Sequence, residues 1–486
     1  MENKTILTDY YELTMSQAYF DAGKHKEQVY FDLFFRTNPF LGGYTVSGGL
    51  DEIIEYIENF KIDESDIEYL RSQNIYSEEF LEYLKNLKFE GDIYGVPDGT
   101  PIFPNEPVLT IKADVITAQI LETSLLTNFN HGTLVTTAAK RITNEAGNIP
   151  VMEFGARRAR GRDSATEASK HAYIGGCVGT SNTLAGKKYG IPVMGTMAHA
   201  FVTSFPTEYE AFLAYAKTFP NSTTLLVDTY DTLRSGIPNA IRVAKEYLIP
   251  NGYELKGIRI DSGVLAYLSK EAKRMLVEAG LPNVKICLSN GLNEHTIGDL
   301  LRQGAVIDSI GAGDNLVASK ERVDGVYKLV AVEGNDEIIA KIKVSDDAVK
   351  TINPGYKKVY RFYDNKTGYA LGDVIALHDE VIPLDGYTLI DPVDNWKTTE
   401  LKNYNVRELQ IPIYKNGKLV YNNPDLKERQ EYCNKEMDTL YPEVKRITKP
   451  HGYYVDLTKK LLELKRDLII KSKKTNIGGK SLTLKP

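Results

Sequence analysis

The sequence predicts an α/β protein whose central third folds as a β/α barrel, and three observations lead there. Between residues 150 and 313 short apolar runs recur, each followed by a polar or glycine-bearing turn and then by helical periodicity. The runs cover 150–155, 192–196, 225–229, 257–261, 285–290 and 308–313, and nearly all end in side chains able to carry chemistry. On either side the texture changes to shorter β-like runs without the alternating unit. Six parallel units would suit an open doubly wound sheet as well. Polar residues gathered at the carboxyl ends of the strands favour the barrel, because that face carries its active site.

The elements follow in order. Asp9 reads as a helix N-cap with Glu12 three residues on, and Leu13, Met15, Ala18 and Tyr19 supply apolar positions. A strand is expected over 29–36, then amphipathic helices over 50–60 and 77–87. Residues 93–96 and 108–111 read as short strands, and a long helical pattern begins at Ile116. After Lys320 antiparallel strands are expected over 326–332 and 358–363. Charged amphipathic helices follow over 426–440 and 457–470, with a Lys/Gly/Ser tail that reads as flexible. These shifts divide the chain into an N-terminal part (1–130), a catalytic part (131–325) and a C-terminal part (326–486).

Composition narrows the function. The 486 residues carry 65 acidic and 59 basic side chains, a net charge of −6, so no global positive field recommends nucleic acid as partner. Cys177, Cys287 and Cys433 are too scattered for a CxxC pattern, which suits reduced thiols in the cytoplasm. The amino terminus lacks an apolar signal core, and no stretch approaches the roughly 20 apolar residues that span a bilayer.

Several strand ends carry candidate chemistry. Glu153-Phe154-Gly155-Ala156-Arg157-Arg158-Ala159-Arg160 sets an acid, an aromatic face and guanidiniums after a strand, where the planar fork suits phosphate or carboxylate; the competing reading is a solvated basic turn. His199, in Gly195-Thr196-Met197-Ala198-His199, has the best address of the seven histidines, against the alternative of a structural histidine; His131 and His171 are weaker candidates. Asp228 and Asp261 offer carboxylates for Mg²⁺, ribose hydroxyls or a histidine N–H, or else cap the following helices. The turns Ser289-Asn290-Gly291 and Gly311-Ala312-Gly313-Asp314-Asn315 suit phosphate, since glycine lets backbone N–H groups approach an anion.

Together, Glu-Phe-Gly-Ala-Arg-Arg-Ala, Gly-Thr-Met-Ala-His, Val-Asp-Thr-Tyr, Arg-Ile-Asp-Ser-Gly and Val-Tyr-Lys-Leu-Val resemble the nicotinate phosphoribosyltransferase family, in its order and nearly end to end. The resemblance implies a discontinuous α/β domain, formed by both flanks, beside an irregular β/α barrel, in a head-to-tail homodimer. It implies joining of nicotinate to the ribose carbon of phosphoribosyl pyrophosphate, with ATP hydrolysed through a phosphohistidine at His199 and Asp228 orienting it. Phe154 would stack on the pyridine ring, with Tyr11 of the other subunit covering the opposite face. Thr196 and Arg259 would contact nicotinate. Arg157, Asp261, Ser289, Gly291 and the turn from Gly311 through Gly313 and Asp314 would hold the phosphoribosyl group, with Mg²⁺ carried mainly by phosphates and by Asp261. Relatives often have Thr at the Asp314 position, so backbone N–H groups are the expected contacts there.

A nicotinamide phosphoribosyltransferase is the nearest rival, and such relatives carry an acid in a Gly-Thr-acid-Thr segment. Here it reads Gly179-Thr180-Ser181-Asn182-Thr183. Neutral side chains suit an anionic substrate, since two carboxylates 4 Å apart oppose each other by about 4 kcal/mol at an effective dielectric near 20. Quinolinate phosphoribosyltransferase chains are usually much shorter. A sugar-phosphate isomerase or aldolase would need a Schiff-base lysine or a clear general base at a strand end, and none is evident. A non-catalytic descendant would have lost the histidine or the arginines.

Overall fold

The computed structural model describes residues 4–334, 337–344, 351–391 and 396–476. Of the expected Lys/Gly/Ser tail, residues 471–476 continue the helix Lys459–Asn476 and the rest lies outside the described residues. The chain forms two compact units: Met1–Leu134, Arg322–Asp425 and Glu431–Pro486 make one, and Val135–Glu321 with Leu426–Gln430 the other. No helix among the described residues is long and apolar enough to cross a membrane.

The first unit is built on an antiparallel sheet. Its strands run Glu337–Ala340, Gly325–Gly334, Gln28–Phe35, Leu109–Asp114, Asp92–Gly95, Ile411–Lys415 and Lys418–Leu419 across the sheet. Gln28–Phe35 lies between neighbours from opposite ends of the chain, with Val29 opposite Val332 on one side and Ala113 on the other. Nearly continuous apolar residues bury it on both faces, except Asp32, whose carboxylate sits 2.7 Å from the buried Lys357 ammonium. A second sheet orders Tyr404–Glu408, Lys357–Asp364, Ala370–Leu377 and Val455–Leu457. Leu457 thus belongs to a strand, and the helix expected from 457 begins at Lys459.

Two local expectations need correction here. Asp9 occupies the N-cap of helix Tyr10–Asp21, but its side chain makes no capping bond. Its own N–H donates to Thr123 Oγ1, and Glu12, buried, accepts from Thr123 N–H at 3.2 Å and Thr123 O–H at 2.5 Å. A tertiary contact has displaced the local cap. Helix Glu64–Ser72 was not anticipated, although Asp63 and Asp66 form its capping box, because its polar composition blurs the helical period.

The three chain segments of this unit are tied by a buried ion pair. Arg361 donates from Nε and Nη2 to the two oxygens of Asp373 at 2.8 and 2.6 Å, and from Nη2 to the Pro101 carbonyl at 2.9 Å. Tyr453 donates to Asp373 at 2.8 Å and stacks on Phe103, centroids 3.8 Å apart. Burial and the adjacent Asp373 push the Glu106 carboxyl well above its ordinary range. Removing one partner leaves an uncompensated buried charge. Asp373→Ala should therefore lose about 3 to 5 kcal/mol in urea denaturation.

Glu12 gives a pH-dependent counterpart. Burial first, then the charge of Glu122, pushes its carboxyl up to about 7 from an ordinary 4.5. The native state favours the proton, so this stability is full below the unfolded value and is lost as pH rises through about 7. Between pH 4.5 and 8 the loss amounts to at most about 3 kcal/mol. Denaturation midpoints should fall more steeply over that range for the wild type than for Glu12→Gln.

The second unit contains the alternating units. Its strands are β1 (Val151–Glu153), β2 (Gly179–Thr180), β3 (Thr224–Leu226), β4 (Gly257–Ile260), β5 (Lys285–Leu288) and β6 (Ser309–Ala312). All pairings are parallel, in the order β2-β1-β6-β5-β4-β3. The last strand therefore returns to pair with the first. Leu225, Ile258, Ile260, Ile286, Leu288 and Ile310 fill the core beneath. The 192–196 run is corrected: only Val193 bridges, to Thr180, and Val193 to Gly195 are exposed. The true strand there is β2, whose two residues, Gly and Thr, give no apolar signal. Hydrogen bonding stops between the Val193 bridge and β3, so among the described residues the ring of strands is not closed by its ladder.

Candidate functional site

The carboxyl ends of these strands open on one cavity of about 580 Å³, lined by Phe154, Arg157, Ser181, Thr196, His199, Leu226, Arg259 and Asp261 among others. Parallel strands leave their last side chains side by side at this edge, so residues over a hundred positions apart in sequence meet.

Phe154 and its turn are held from below. Glu153 is fully buried at the end of β1 and accepts from Gly155 N–H, from Ser169 O–H at 3.0 Å and from Thr180 O–H at 2.5 Å. Phe154 N–H continues the ladder to the Ala312 carbonyl at 2.7 Å. The ring lies on Gly311, where a Cβ would stand 2.5 Å from Phe154 Cδ2. Gly155 packs equally closely on Val317 and on the Gly313 carbonyl. Glycine at 311 and 155 thus serves close approach, where the sequence suggested phosphate binding for the former.

His199 starts the short helix His199–Thr203, with its side chain partly exposed. Its Nε2 lies 3.2 Å from Asp228 Oδ1. A carboxylate oxygen accepts, so the ring N–H that faces Asp228 is the one on Nε2, and Nδ1 is turned away from that carboxylate. The Asp228 side chain is 1% exposed and its Oδ2 accepts from Asp261 N–H at 3.0 Å and Ser262 O–H at 2.5 Å. Asp228 therefore orients a histidine and caps no helix.

Arg259, on β4, is fixed on several sides. Its Nε donates to Ser289 at 2.8 Å, Nη1 to Thr196 at 3.3 Å and Nη2 to Asp261 at 3.0 Å. Ser289 in turn donates to Asp261. The guanidinium carbon sits 5.4 Å from the centre of the Phe154 ring. An aromatic face, a rigid cation and a hydroxyl thus line one pocket, which suits a flat anionic ring.

The remaining residues divide. Arg157 lines the cavity from an exposed turn, and Arg160 is tied to the Ser319 carbonyl at 3.1 Å. Asn290 and Gly291 adopt positive φ of 104° and 58°, and Asn315 donates to the Gly291 carbonyl at 2.6 Å, joining the two glycine-bearing turns. Asp314 opens a four-residue helix with an exposed side chain. Tyr11 belongs to the other unit, exposed in the first turn of its helix; burial, then Glu122, pushes its phenol upward. Among the described residues no cluster of three or more His, Cys, Asp or Glu could hold a metal ion. Ser262 and the supporting role of Glu153 escaped sequence reasoning; Ser262 stands in the quoted Arg-Ile-Asp-Ser-Gly, and its spacing from Asp261 was the available signal.

Comparison with known proteins agrees along most of the chain. Models of the nicotinate phosphoribosyltransferase N-terminal domain, family and C-terminal domain match residues 6–130, 149–367 and 356–465. Nicotinate phosphoribosyltransferase of Bacillus subtilis is 42% identical over 460 residues, covering 94% of this chain and 93% of that protein. The Homo sapiens enzyme of the same name is 31% identical over 525 residues, covering 96% of each. The crystal structure of human nicotinic acid phosphoribosyltransferase superposes with a TM-score of 0.83 at 30% identity, covering 95% of this chain and all of that one. A nicotinate-nucleotide pyrophosphorylase from Pyrococcus furiosus follows at 0.69 and 25% identity, over 90% and 97% of the two chains. With three successive family models and relatives of this similarity spanning it, the chain belongs to the nicotinate phosphoribosyltransferase family.

Proposed function

We propose that this chain transfers the phosphoribosyl group of phosphoribosyl pyrophosphate to the ring nitrogen of nicotinate, releasing pyrophosphate, with ATP hydrolysis coupled through His199. The observation that carries this reading is the Arg259 guanidinium held against the Phe154 ring on the cavity wall. A pyridine ring can stack on Phe154 while its carboxylate faces Arg259 and Thr196. Ser181, the residue of the Gly179–Thr183 segment on the cavity wall, is neutral, which favours nicotinate over nicotinamide.

Departure of pyrophosphate builds positive charge on the ribose and negative charge on the leaving group, so catalysis is electrostatic and needs no protein nucleophile. Arg157 stands at the open edge of the cavity, and the joined turns around Gly291 and Gly313 offer backbone N–H groups. Asp228 has both oxygens engaged by protein, whereas Arg259 and Ser289 both bond Asp261 at Oδ1, so Asp261 Oδ2 is the oxygen offered to Mg²⁺ held chiefly by substrate phosphates. Mg²⁺ bound there would neutralise charge on the leaving pyrophosphate. His199 is the phosphoryl acceptor: Nδ1 attacks the terminal phosphorus of ATP, the bond to ADP breaks, and Asp228 holds the Nε2 proton. A phosphoryl group on Nδ1 adds charge and acceptors at the cavity rim, tying substrate affinity to ATP.

We further read the strand order, with β6 returning to β1, as an irregular β/α barrel, and place the protein in the cytoplasm. Tyr11, on the other unit, would cover the pyridine ring from a second subunit of a homodimer.

Protein incubated with γ-labelled ATP should acquire acid-labile, base-stable phosphate, assigned to Nδ1 by NMR. His199→Asn should abolish the label and leave weak ATP-independent product formation; an undiminished label would overturn the assignment. In the same assay nicotinate should be used well ahead of nicotinamide, and the reverse preference would sink the substrate reading.

A further inference from the structure

Ser289 was expected to touch the phosphoribosyl group, yet it is 2% exposed and its hydroxyl is already committed. A serine hydroxyl has one proton to donate, and here it goes to Asp261 while Arg259 Nε donates to its oxygen. We infer that Ser289 is a positioning residue that presents Arg259 to the substrate and thereby sets selectivity for a planar carboxylate. The inference rests on the substrate reading above.

A count of donors supports it. A guanidinium has five N–H groups. Ser289 takes the one on Nε, Thr196 one on Nη1 and Asp261 one on Nη2. Among the described residues that leaves two, one on each terminal nitrogen. Two N–H groups on adjacent nitrogens match the two oxygens of a carboxylate. A carboxamide offers one oxygen and an NH₂, so one N–H would face another donor. The arrangement discriminates only while the guanidinium cannot turn about its long axis. Ser289 and Asp261 together occupy the Nε and Nη2 edge and prevent that turn. The serine is itself fixed, since its N–H donates to the Ile260 carbonyl at 3.1 Å, and Gly311 packs so closely that a Cβ there would stand 3.2 Å from the Ser289 Cβ.

Ser289→Ala removes a single oxygen from this edge. Steady-state kinetics should show the KM for nicotinate rising about tenfold, the loss of one charge-assisted hydrogen bond. Turnover number and KM for phosphoribosyl pyrophosphate should stay within about twofold, and the nicotinate-to-nicotinamide ratio of kcat/KM should fall about tenfold. Ser289→Thr, which keeps the hydroxyl, should restore the ratio; if that variant does not fold, the KM split in the alanine variant decides alone. A rise in the KM for phosphoribosyl pyrophosphate with nicotinate unaffected would overturn the inference in favour of a phosphate contact. No change at all, or a uniform loss of every parameter together with Tm, would overturn it as well. Equilibrium dialysis of wild type and variant against labelled nicotinate, with ATP and Mg²⁺ present, separates the two readings. Wild type that binds no nicotinate sinks the substrate reading, whereas equal binding by both proteins sinks only the role of Ser289.

Discussion

The pairing of Gln28–Phe35 with Gly325–Gly334 is the constraint on which the rest depends. About three hundred residues separate the partners, so this contact carries a large closure entropy and must be repaid by burial. The sequence meets that need with a strand apolar on both faces and one exception, Asp32, neutralised by Lys357 from the far half of the chain. The Arg361–Asp373 pair, reaching the Pro101 carbonyl and Tyr453, repeats the device. With the first unit sealed by its two ends, the intervening residues are free to fold as parallel β/α repeats.

Those repeats bring acids, arginines and a histidine to one edge, but the side chains that touch the cavity are only part of the arrangement. Glu153, Asp228 and Ser289 are buried or nearly so and act through others: Glu153 on the Phe154 turn, Asp228 on His199, Ser289 on Arg259. Each spends its hydrogen-bonding capacity on protein groups. A site held in this way loses little entropy when a ligand arrives, because the orientation of its cations is settled beforehand.

Much of this was legible because strong local signals mark it. Apolar β4, β5 and β6, each followed by a polar turn, could be read directly, as could His199 and Asp228 in their motifs. The misreadings have physical causes. At 192–196 an apolar run resembles a strand, yet it is a loop with one bridge, while β2 is two small polar residues. Asp9 has the pattern of a capping residue, but Thr123, more than a hundred positions away, takes its N–H and donates to Glu12. Gly311 looks like a phosphate glycine, and only coordinates reveal a ring lying on it. Periodicity reports what one segment prefers and carries no information on which distant donor completes it.

The double engagement of Asp228 has one more consequence. One of its oxygens faces His199 and the other holds the backbone of Asp261, whose side chain grips Arg259. The imidazole and the guanidinium are therefore linked by three hydrogen bonds and one residue of backbone. Histidine and arginine, drawn from segments sixty positions apart, are thus held as one rigid assembly whose geometry is set before anything enters the cavity.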